Sequence, residues 1–334
     1  MSEEKLKIAV VGLGKMGILH SCILNVLSNV QLVALCEKSS MIRRLAKKIF
    51  KTSIVDDVEK LAHLDIDAVY VTTPIPSHFP IVKTICQEKL AHNLFVEKTL
   101  AANYNEAKEL CELAGRFSEI SLVGYMRRFA VTFKKAKELL TEDTVGNVES
   151  FKAYALSSDF HNSQKSVKTS AARGGVLRDL GCHVVDLALW FFGDLQVNSA
   201  TLTPRISDDS EDHARFDIRA LNDSLEGNFD VSWCLEGYRM PEVGLSISGS
   251  KGTIEVSDDK LELKLVNGKS FTWFRHNLGD NVWFWLGGPE YFRENEYFIK
   301  SIREGKKTEP NFNTASKVDQ IIEQVKEKAD KTEH

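Results

Sequence analysis

No apolar run in this chain approaches the ~18 residues that a membrane-spanning helix needs, so a helical membrane protein is excluded. Neither sign of charge dominates: 43 Lys and Arg stand against 47 Asp and Glu, a net charge of −4, and both signs are dispersed. A nucleic-acid partner is therefore not expected. The six cysteines lie at 22, 36, 86, 111, 182 and 234, with no Cys-x-x-Cys pair among them. Several sit in apolar runs, which predicts reduced core thiols in a cytoplasmic protein, no disulfide framework and no metal site. Internal repeats and low-complexity segments are missing too. The N-terminus, Met-Ser-Glu-Glu-Lys, is charged and leads straight into an apolar segment, unlike a signal peptide. What remains is an ordinary soluble composition, 43% hydrophobic and 27% charged. At 334 residues it suggests roughly two domains, each able to bury its own core.

The most informative segment starts six residues in. The apolar run from Leu6 to Val11 ends in Gly12-Leu-Gly14-Lys15-Met16-Gly17, and an amphipathic stretch follows. A strand, a glycine turn and a helix are implied. Gly12 permits the tight turn, Gly14 lets backbone approach a pyrophosphate, and Gly17 lets helix pack close on strand. The helix N-terminus offers unpaired N–H groups and a positive dipole end to the anion. A second strand, Gln31 to Cys36, ends at Glu37, 20 residues after Gly17, where an acid binds the adenine ribose hydroxyls. The first third of the chain therefore reads as a nicotinamide-dinucleotide domain.

Strand and helix then alternate. Helices are expected over about Ser40–Phe50, from a Ser77 cap through Cys86, and over about Asn103–Arg116. Strands are expected at Asp67–Val71, His92–Val96 and Ile120–Val123. Such alternation means a doubly wound parallel sheet. Near residue 125 the pattern changes. A helix, Phe129 to Leu140, precedes a long strand, Val148 to Ser157, a polar loop to Arg173, and a helix over about Leu180–Phe192. Strand-length runs from Gln196 to Phe274, broken by Asp-Asp, Asn-Asp, Gly-Ser and Asn-Gly, predict an antiparallel sheet. Phe229, Val231 and Trp233 alternate with Asp230 and Ser232, which gives that sheet one apolar face. Two helices close the chain, about Pro289–Arg303 and Thr314–Lys328. The expected fold is an α/β Rossmann domain over residues 1–125, then an α+β domain over 126–334 built on a large, mostly antiparallel open sheet. The second domain is the candidate for substrate binding and oligomerisation, and the C-terminal helix is a candidate to pack back on the first.

In an open parallel sheet, ligands bind beyond the carboxyl ends of the strands. Those ends carry the glycine turn, Glu37, Thr73-Pro74 and Glu97-Lys98. There Lys98 can place a cation beside a substrate oxygen that becomes an alkoxide. A second constellation runs Gly174-Gly175-Val-Leu-Arg-Asp179-Leu-Gly-Cys-His183-Val-Val-Asp186. Asp179 and His183, four apart, share a face in a helical turn. A carboxylate beside an imidazole fixes its tautomer and raises its basicity, and such a pair can take a hydroxyl proton while hydride leaves the same carbon. Equally, Asp179 can be a helix cap and His183 an interior histidine; the spacing leaves both readings open.

Together these segments resemble the glucose–fructose oxidoreductase / inositol dehydrogenase (Gfo/Idh/MocA) family. The resemblance runs through Gly12 to Gly17, Thr73-Pro74 with His78, Phe95-Val-Glu97-Lys98, Gly124-Tyr-Met-Arg-Arg-Phe129, and Gly174-Gly175 through Asp179, His183 and Asp186. It implies a Rossmann domain plus an open-sheet domain with the reaction site between them, and NAD(P)-dependent hydride transfer at a carbinol carbon of a sugar, sugar derivative or cyclic polyol. Lys98, Asp179 and His183 match the catalytic lysine, aspartate and histidine. Gly12, Gly14, Lys15, Met16, Gly17 and Glu37 become the cofactor contacts of the first turn. Thr73, Pro74, His78, Glu97 and Lys98 become those of the later strand ends. The chain departs from the family pattern at Thr99, where proline follows Glu-Lys, at Ile75 and Met126, where asparagine is common, and at Arg173, the first of three glycines.

Glu37 argues for NAD, because its carboxylate repels a 2′-phosphate; Lys38, Arg43 and Arg44 keep NADP as the alternative. For the substrate, Arg127, Lys165 and Arg173 join Asp179 and His183 as candidate contacts, and the basic residues suit an anionic substituent. The loop that carries Lys165, with His161 and Lys168, reads equally as a polar lid. Trp283, Phe284 and Trp285 read as sugar-stacking rings, or as core or subunit contacts. The uncovered face of the second sheet, with the family habit, points to a homodimer or homotetramer. Two other functions fit the same motifs: a non-catalytic dinucleotide sensor, and an oxidoreductase whose cofactor never dissociates.

Overall fold

The computed structural model describes residues 4–160, 173–204, 211–221, 225–238 and 240–330. The chain divides into two units, Met1–Met126 with Val282–Asp319, and Arg127–Asn281 with Gln320–His334.

The first unit is a parallel sheet in the order β3-β2-β1-β4-β5-β6, with β1 Leu6–Val11, β2 Val30–Cys36, β3 Ser53–Val55, β4 Ala68–Val71, β5 Asn93–Glu97 and β6 Ile120–Gly124. That order reverses direction between β1 and β4, the switch point at which doubly wound folds bind dinucleotides. β4 and β5 are buried at every residue, so β4, and β5 between Asn93 and Glu97, read as apolar runs rather than alternating ones. β3 escaped the sequence reading because three residues carry no periodicity. Helices α1 (Lys15–Val26), α2 (Ser40–Ile49), α3 (His78–Gln87) and α4 (Tyr104–Phe117) follow the strands. Asn103 caps α4 by accepting the Glu106 N–H at 2.9 Å. Ser77 does not cap α3 as expected. It lies at φ −93°, ψ −10° with no side-chain cap bond, because a 3-10 turn over Ile75–Ser77 runs directly into the helix and puts Ser77 inside the spiral rather than at an extended cap position.

Val282–Asp319 returns to this unit. It carries helix α7, Pro289–Glu304. Phe292, Phe298 and Ile299 of α7 join Ile8, Val10, Tyr70, Phe95 and Ile120 in one core. The Tyr70 and Phe95 rings stack at 4.5 Å, and Phe298 meets both edge-on. Each such aromatic contributes roughly 2–3 kcal/mol of burial. Trp283 and Trp285, read as possible core, are both 64% exposed; Trp283 meets Phe292 only edge-on.

The second unit is a sheet in the order β14-β13-β12-β11-β7-β10-β9-β8. Its strands are β7 Val148–Leu156, β8 Leu195–Thr203, β9 His213–Ala220, β10 Glu226–Ser232, β11 Glu242–Gly249, β12 Gly252–Ser257, β13 Lys260–Leu265 and β14 Ser270–Phe274. Only the β7–β10 pair is parallel, as expected for a mostly antiparallel sheet. Helices α5 (Val131–Thr141) and α6 (Cys182–Phe192) pack on it. Phe229, Val231 and Trp233 are buried as the alternation predicts, and Phe229 stacks on Phe216 at 4.4 Å. Arg128 Nε and Nη2 donate to the two oxygens of Asp186 on α6 at 2.8 and 2.7 Å, both groups buried.

The other face of this sheet is polar. Lys152, Tyr154, Arg215, Asp217, Asn228 and Asp230 line a shallow depression of about 500 Å³. Asn228 and Ser199 donate to Asp217 at 2.6 and 2.7 Å, and Arg215 donates to Asp230 at 3.2 Å. These groups pair across neighbouring strands, with Ala153, Ala200, Phe216 and Phe229 also lining the depression. The last helix, α8 (Phe312–Asp330), begins in the first unit and continues in the second from Gln320. Its first residue sits on α4 and β6: Phe312 O accepts from Cys111 Sγ at 3.2 Å, and its N–H donates to Ser121 Oγ.

Candidate active site

The glycine turn follows β1 and is held by backbone and side-chain hydrogen bonds. The Gly12 N–H donates to Cys36 O at 2.8 Å, and Thr72 Oγ1 donates to Gly12 O at 2.7 Å. Gly12 has φ +93°, and a Cβ there would lie 2.6 Å from Thr73 Cγ2. A Cβ on Gly17 would lie 1.8 Å from Gly12 O. Gly14 differs: it has φ −68°, and a Cβ would meet nothing within 4 Å. The first and third glycines thus serve the turn itself. The second leaves open space before the N-terminus of α1, where Lys15 is exposed and Met16 half-buried. Thr73, packed against Gly12, has a buried hydroxyl without a partner among the described residues. An open cradle at a helix N-terminus fits a dinucleotide pyrophosphate.

Glu37, at the carboxyl end of β2, turns both oxygens toward backbone. Oε2 accepts the Leu13 N–H of the glycine turn and Oε1 the Ser39 N–H, each at 2.8 Å. A carboxylate has about four acceptor positions, so capacity for ribose hydroxyls remains. Arg43 is folded back: its Nη1 donates to the carbonyls of Glu37 and Lys38 at 2.7 and 2.6 Å. Burial, helped by Asp57 and Glu37, pushes the Cys36 thiol up to about 12, so this neighbour stays protonated and adds no charge at neutral pH.

At the ends of β4 and β5, His78 is wholly buried. Its Nδ1 faces Thr99 O at 2.9 Å and its Nε2 faces Thr73 O at 2.8 Å. Burial lowers its pKa, against the two carbonyls, which favour the proton. His78 therefore ties the Thr73 loop to the segment after Lys98, rather than reaching a ligand itself. Pro74 is exposed beside it. Glu97 is also buried. Its Oε1 meets His20 Nε2 at 2.9 Å, and its Oε2 accepts the Lys98 N–H at 3.2 Å. Lys98 is half-buried, and the Lys98–Thr99 peptide bond is cis.

In the second unit, Asp179 lies within a π-helical turn, Leu177–Gly181, that leads into α6 and His183. Such turns are frequent at functional sites. Asp179 is not a helix N-cap; its Oδ2 accepts from Arg173 Nη1 at 3.2 Å. The same nitrogen donates to Asp159 at 2.9 Å, and the guanidinium lies over the Phe160 ring, 5.4 Å from its centroid. The turn is anchored by Glu211, whose carbonyl accepts the Val176 N–H at 2.9 Å. Its carboxylate occupies the space a Cβ on Gly175 would need. Gly174 and Gly175 have φ +78° and +84°, which favours glycine. Arg127 does not fit an anion-binding role: its guanidinium is buried, with Nε and Nη2 donating to both oxygens of Asp258 at 3.0 and 3.1 Å. Lys165, like His161 and Lys168, lies outside the described residues.

Three residues of this machinery escaped the sequence reading: His20, Asn295 and Glu211. The first two carry a readable signal. His20 falls on the apolar face of α1 with Ile23 and Leu24, and Asn295 sits between Phe292 and Phe298 on α7. A polar group on such a face demands a partner.

Comparison with known proteins gives these positions a context. A model described as an oxidoreductase family with an NAD-binding Rossmann fold matches residues 6–125, and one for the GFO/IDH/MocA C-terminal domain matches residues 133–255. The chain belongs to the Gfo/Idh/MocA oxidoreductase family. The myo-inositol 2-dehydrogenase of Thermotoga maritima is 23% identical over 312 residues, 90% of this chain and 89% of that one. The inositol 2-dehydrogenase of Rhizobium meliloti is 22% identical over 315 residues, 92% of each. A levoglucosan dehydrogenase solved in complex with NADH shares the fold, with a TM-score of 0.86 at 21% identity over 98% of both chains. This Gfo/Idh/MocA oxidoreductase is thus an NAD-binding protein. Its departure at Arg173 places a cation directly on Asp179. Its departure at Ile75 falls in the 3-10 turn before α3, where an apolar side chain is half-buried.

Proposed function

We propose that this oxidoreductase transfers hydride between NAD and a CH–OH carbon of a sugar, sugar derivative or cyclic polyol, with Lys98, Asp179 and His183 as catalytic residues. The observation that carries the proposal is the setting of these side chains. Lys98 stands at the carboxyl end of β5 in the NAD-binding unit. Asp179 sits in a π-turn that feeds directly into His183. The nicotinamide, when bound, accepts or supplies the hydride. His183, oriented by Asp179, takes the hydroxyl proton in the oxidation direction. Lys98 donates a hydrogen bond to the substrate oxygen and stabilises the negative charge that develops on it. Arg173 holds Asp179 in place through its hydrogen bond to Oδ2. The Arg173 guanidinium is already engaged by two carboxylates, Asp159 and Asp179, which favours a neutral polyol over an anion near it. Free thiols at all six cysteines suit a reducing compartment, and we read the protein as cytoplasmic.

The test is NADH formation over myo-inositol, levoglucosan, alkyl glucosides, sugar phosphates and uronates, with NADP in parallel. Turnover of at least one neutral polyol or sugar is expected, favouring NAD by about tenfold or more, because Glu37 repels a 2′-phosphate. Activity with NADP alone, or with anionic sugars alone, contradicts this reading.

A homodimer or homotetramer is the expected assembly. Lys152 and Arg215 beside Asp217 and Asp230 make the open sheet face self-complementary under a two-fold axis. Light scattering at micromolar concentration is expected to give a multiple of the chain mass; a monomer rules the assembly out.

A further inference from the structure

We propose that Glu211 is a positioning residue for Asp179 and His183, acting on the backbone that opens their turn. The proposal deepens the reading of those two residues as catalytic and rests on it.

Glu211 stands just before β9 and is buried. A buried carboxylate needs donors, and backbone supplies one: Oε1 accepts the Leu177 N–H at 3.4 Å. The Glu211 carbonyl accepts the preceding N–H, that of Val176, at 2.9 Å. One residue thus takes two successive N–H groups where the π-turn begins. The first N–H groups of a helical segment have no acceptor within it, and a carboxylate there also meets the positive end of the helix dipole. Lys326 on α8 approaches the second oxygen, with Nζ 3.7 Å from Oε2. Glycine makes the room. A Cβ on Gly175 would lie 2.2 Å from Glu211 Oε1, so the acid packs directly on bare backbone.

What the anchor secures is the register of the turn. A π-turn carries more residues than an α-turn and is rare outside single bulges. Before it stand Gly174 and Gly175, at φ +78° and +84°, a pair that yields easily to a shift. After it, α6 is held by the buried Arg128–Asp186 pair. Without Glu211, the turn can pass its extra residue back to the glycines and wind as α-helix. A shift of one residue rotates a helical position by about 100°. Asp179 lies inside the turn and His183 beyond it, so Asp179 would rotate while His183 stays. Glu211 fixes the register in which the two belong together.

The first arm of the test needs no substrate. Backbone hydrogen exchange of the full-length protein is followed by peptide mass spectrometry. In Glu211→Ala, residues 176–183 are expected to exchange about tenfold faster, the factor carried by one hydrogen bond to a charged acceptor, while β10 and the end of α6 change by less than about twofold. Glu211→Gln keeps an oxygen at the Leu177 N–H and returns the rate to within about threefold of the wild type. Glu211→Asp, whose shorter stem draws the carboxylate back, gives a smaller rise and replaces Glu211→Ala should that variant not fold. The second arm uses whichever sugar or polyol turns over. There Glu211→Ala lowers kcat by about tenfold with the Kd for NADH unchanged, and Glu211→Gln restores it. Unchanged exchange over 176–183, an equal rise in β10, a glutamine variant that behaves like the alanine, or faster exchange with full kcat overturns the proposal. A silent substrate panel speaks against the proposed reaction alone, because the exchange arm does not depend on turnover.

Discussion

Lys98→Met is expected to lower kcat by about 10³-fold while the Kd for NADH changes by less than about threefold, since removing one donor to a developing oxyanion costs that much and proton transfer adds to it. The side chain and the backbone of Lys98 have separate tasks. Glu97 accepts the backbone N–H, which the substitution leaves in place, so β5 and the Thr73 loop keep their geometry. Methionine matches the length of the lysine stem and removes only the cation. A fall in kcat with affinity preserved therefore isolates the ammonium. Turnover within tenfold of the wild type removes Lys98 from the reaction, and a parallel loss of NADH binding reassigns it to the cofactor. Steady-state kinetics with a fluorescence titration separate the three cases.

The glycine turn gives the second large effect, and it splits in two. Gly17→Ala puts a methyl 1.8 Å from Gly12 O, a backbone atom that cannot rotate aside, so β1 and α1 must move apart. We expect a loss of roughly 3 kcal/mol, a Tm lower by about 10 °C, and severely weakened NADH binding. Gly14→Ala meets nothing within 4 Å at a φ that alanine adopts freely. Its Tm is expected to stay within about 1 °C of the wild type, while NADH affinity falls by about tenfold or more as the methyl enters the space before the helix N-terminus. Gly115→Ala, in the exposed last turn of α4 with no neighbour within 4 Å, is the control and is expected to gain about 0.5 kcal/mol or less. Normal NADH affinity in Gly14→Ala contradicts the placement of the pyrophosphate.

The parts of this protein that were legible in its sequence are those written in local periodicity. β4 is a continuous apolar run because both faces are covered, and the third glycine is dictated by the lack of room for a Cβ, which would lie 1.8 Å from Gly12 O. Phe229, Val231 and Trp233 alternate because β10 has one buried face. The parts that were not legible depend on partners far away in sequence. Arg127 read as a ligand for an anion because nothing nearby announces Asp258, 131 residues on. His78 read as a cofactor contact, although its two nitrogens meet the carbonyls of Thr73 and Thr99. Ser77 looked like a cap because the preceding 3-10 turn is invisible to helix periodicity. The π-turn around Asp179 is hidden for the same reason: four-residue spacing announces an α-helix, and an extra residue in the turn leaves no local mark. The return of Val282–Asp319 to the first unit is a tertiary event with no local signal beyond the apolar face of α7.

The most direct test of the account follows the hydride. Wild-type protein is incubated with NAD and a pool of ring-deuterated myo-inositol, glucosides and levoglucosan, and the reduced cofactor is weighed by mass spectrometry. Reduced nicotinamide carrying the deuterium, absent when Lys98→Met replaces the wild type, is the predicted result. Reduced cofactor without the label, or none at all from a protein that binds NADH, contradicts hydride transfer from a carbinol carbon.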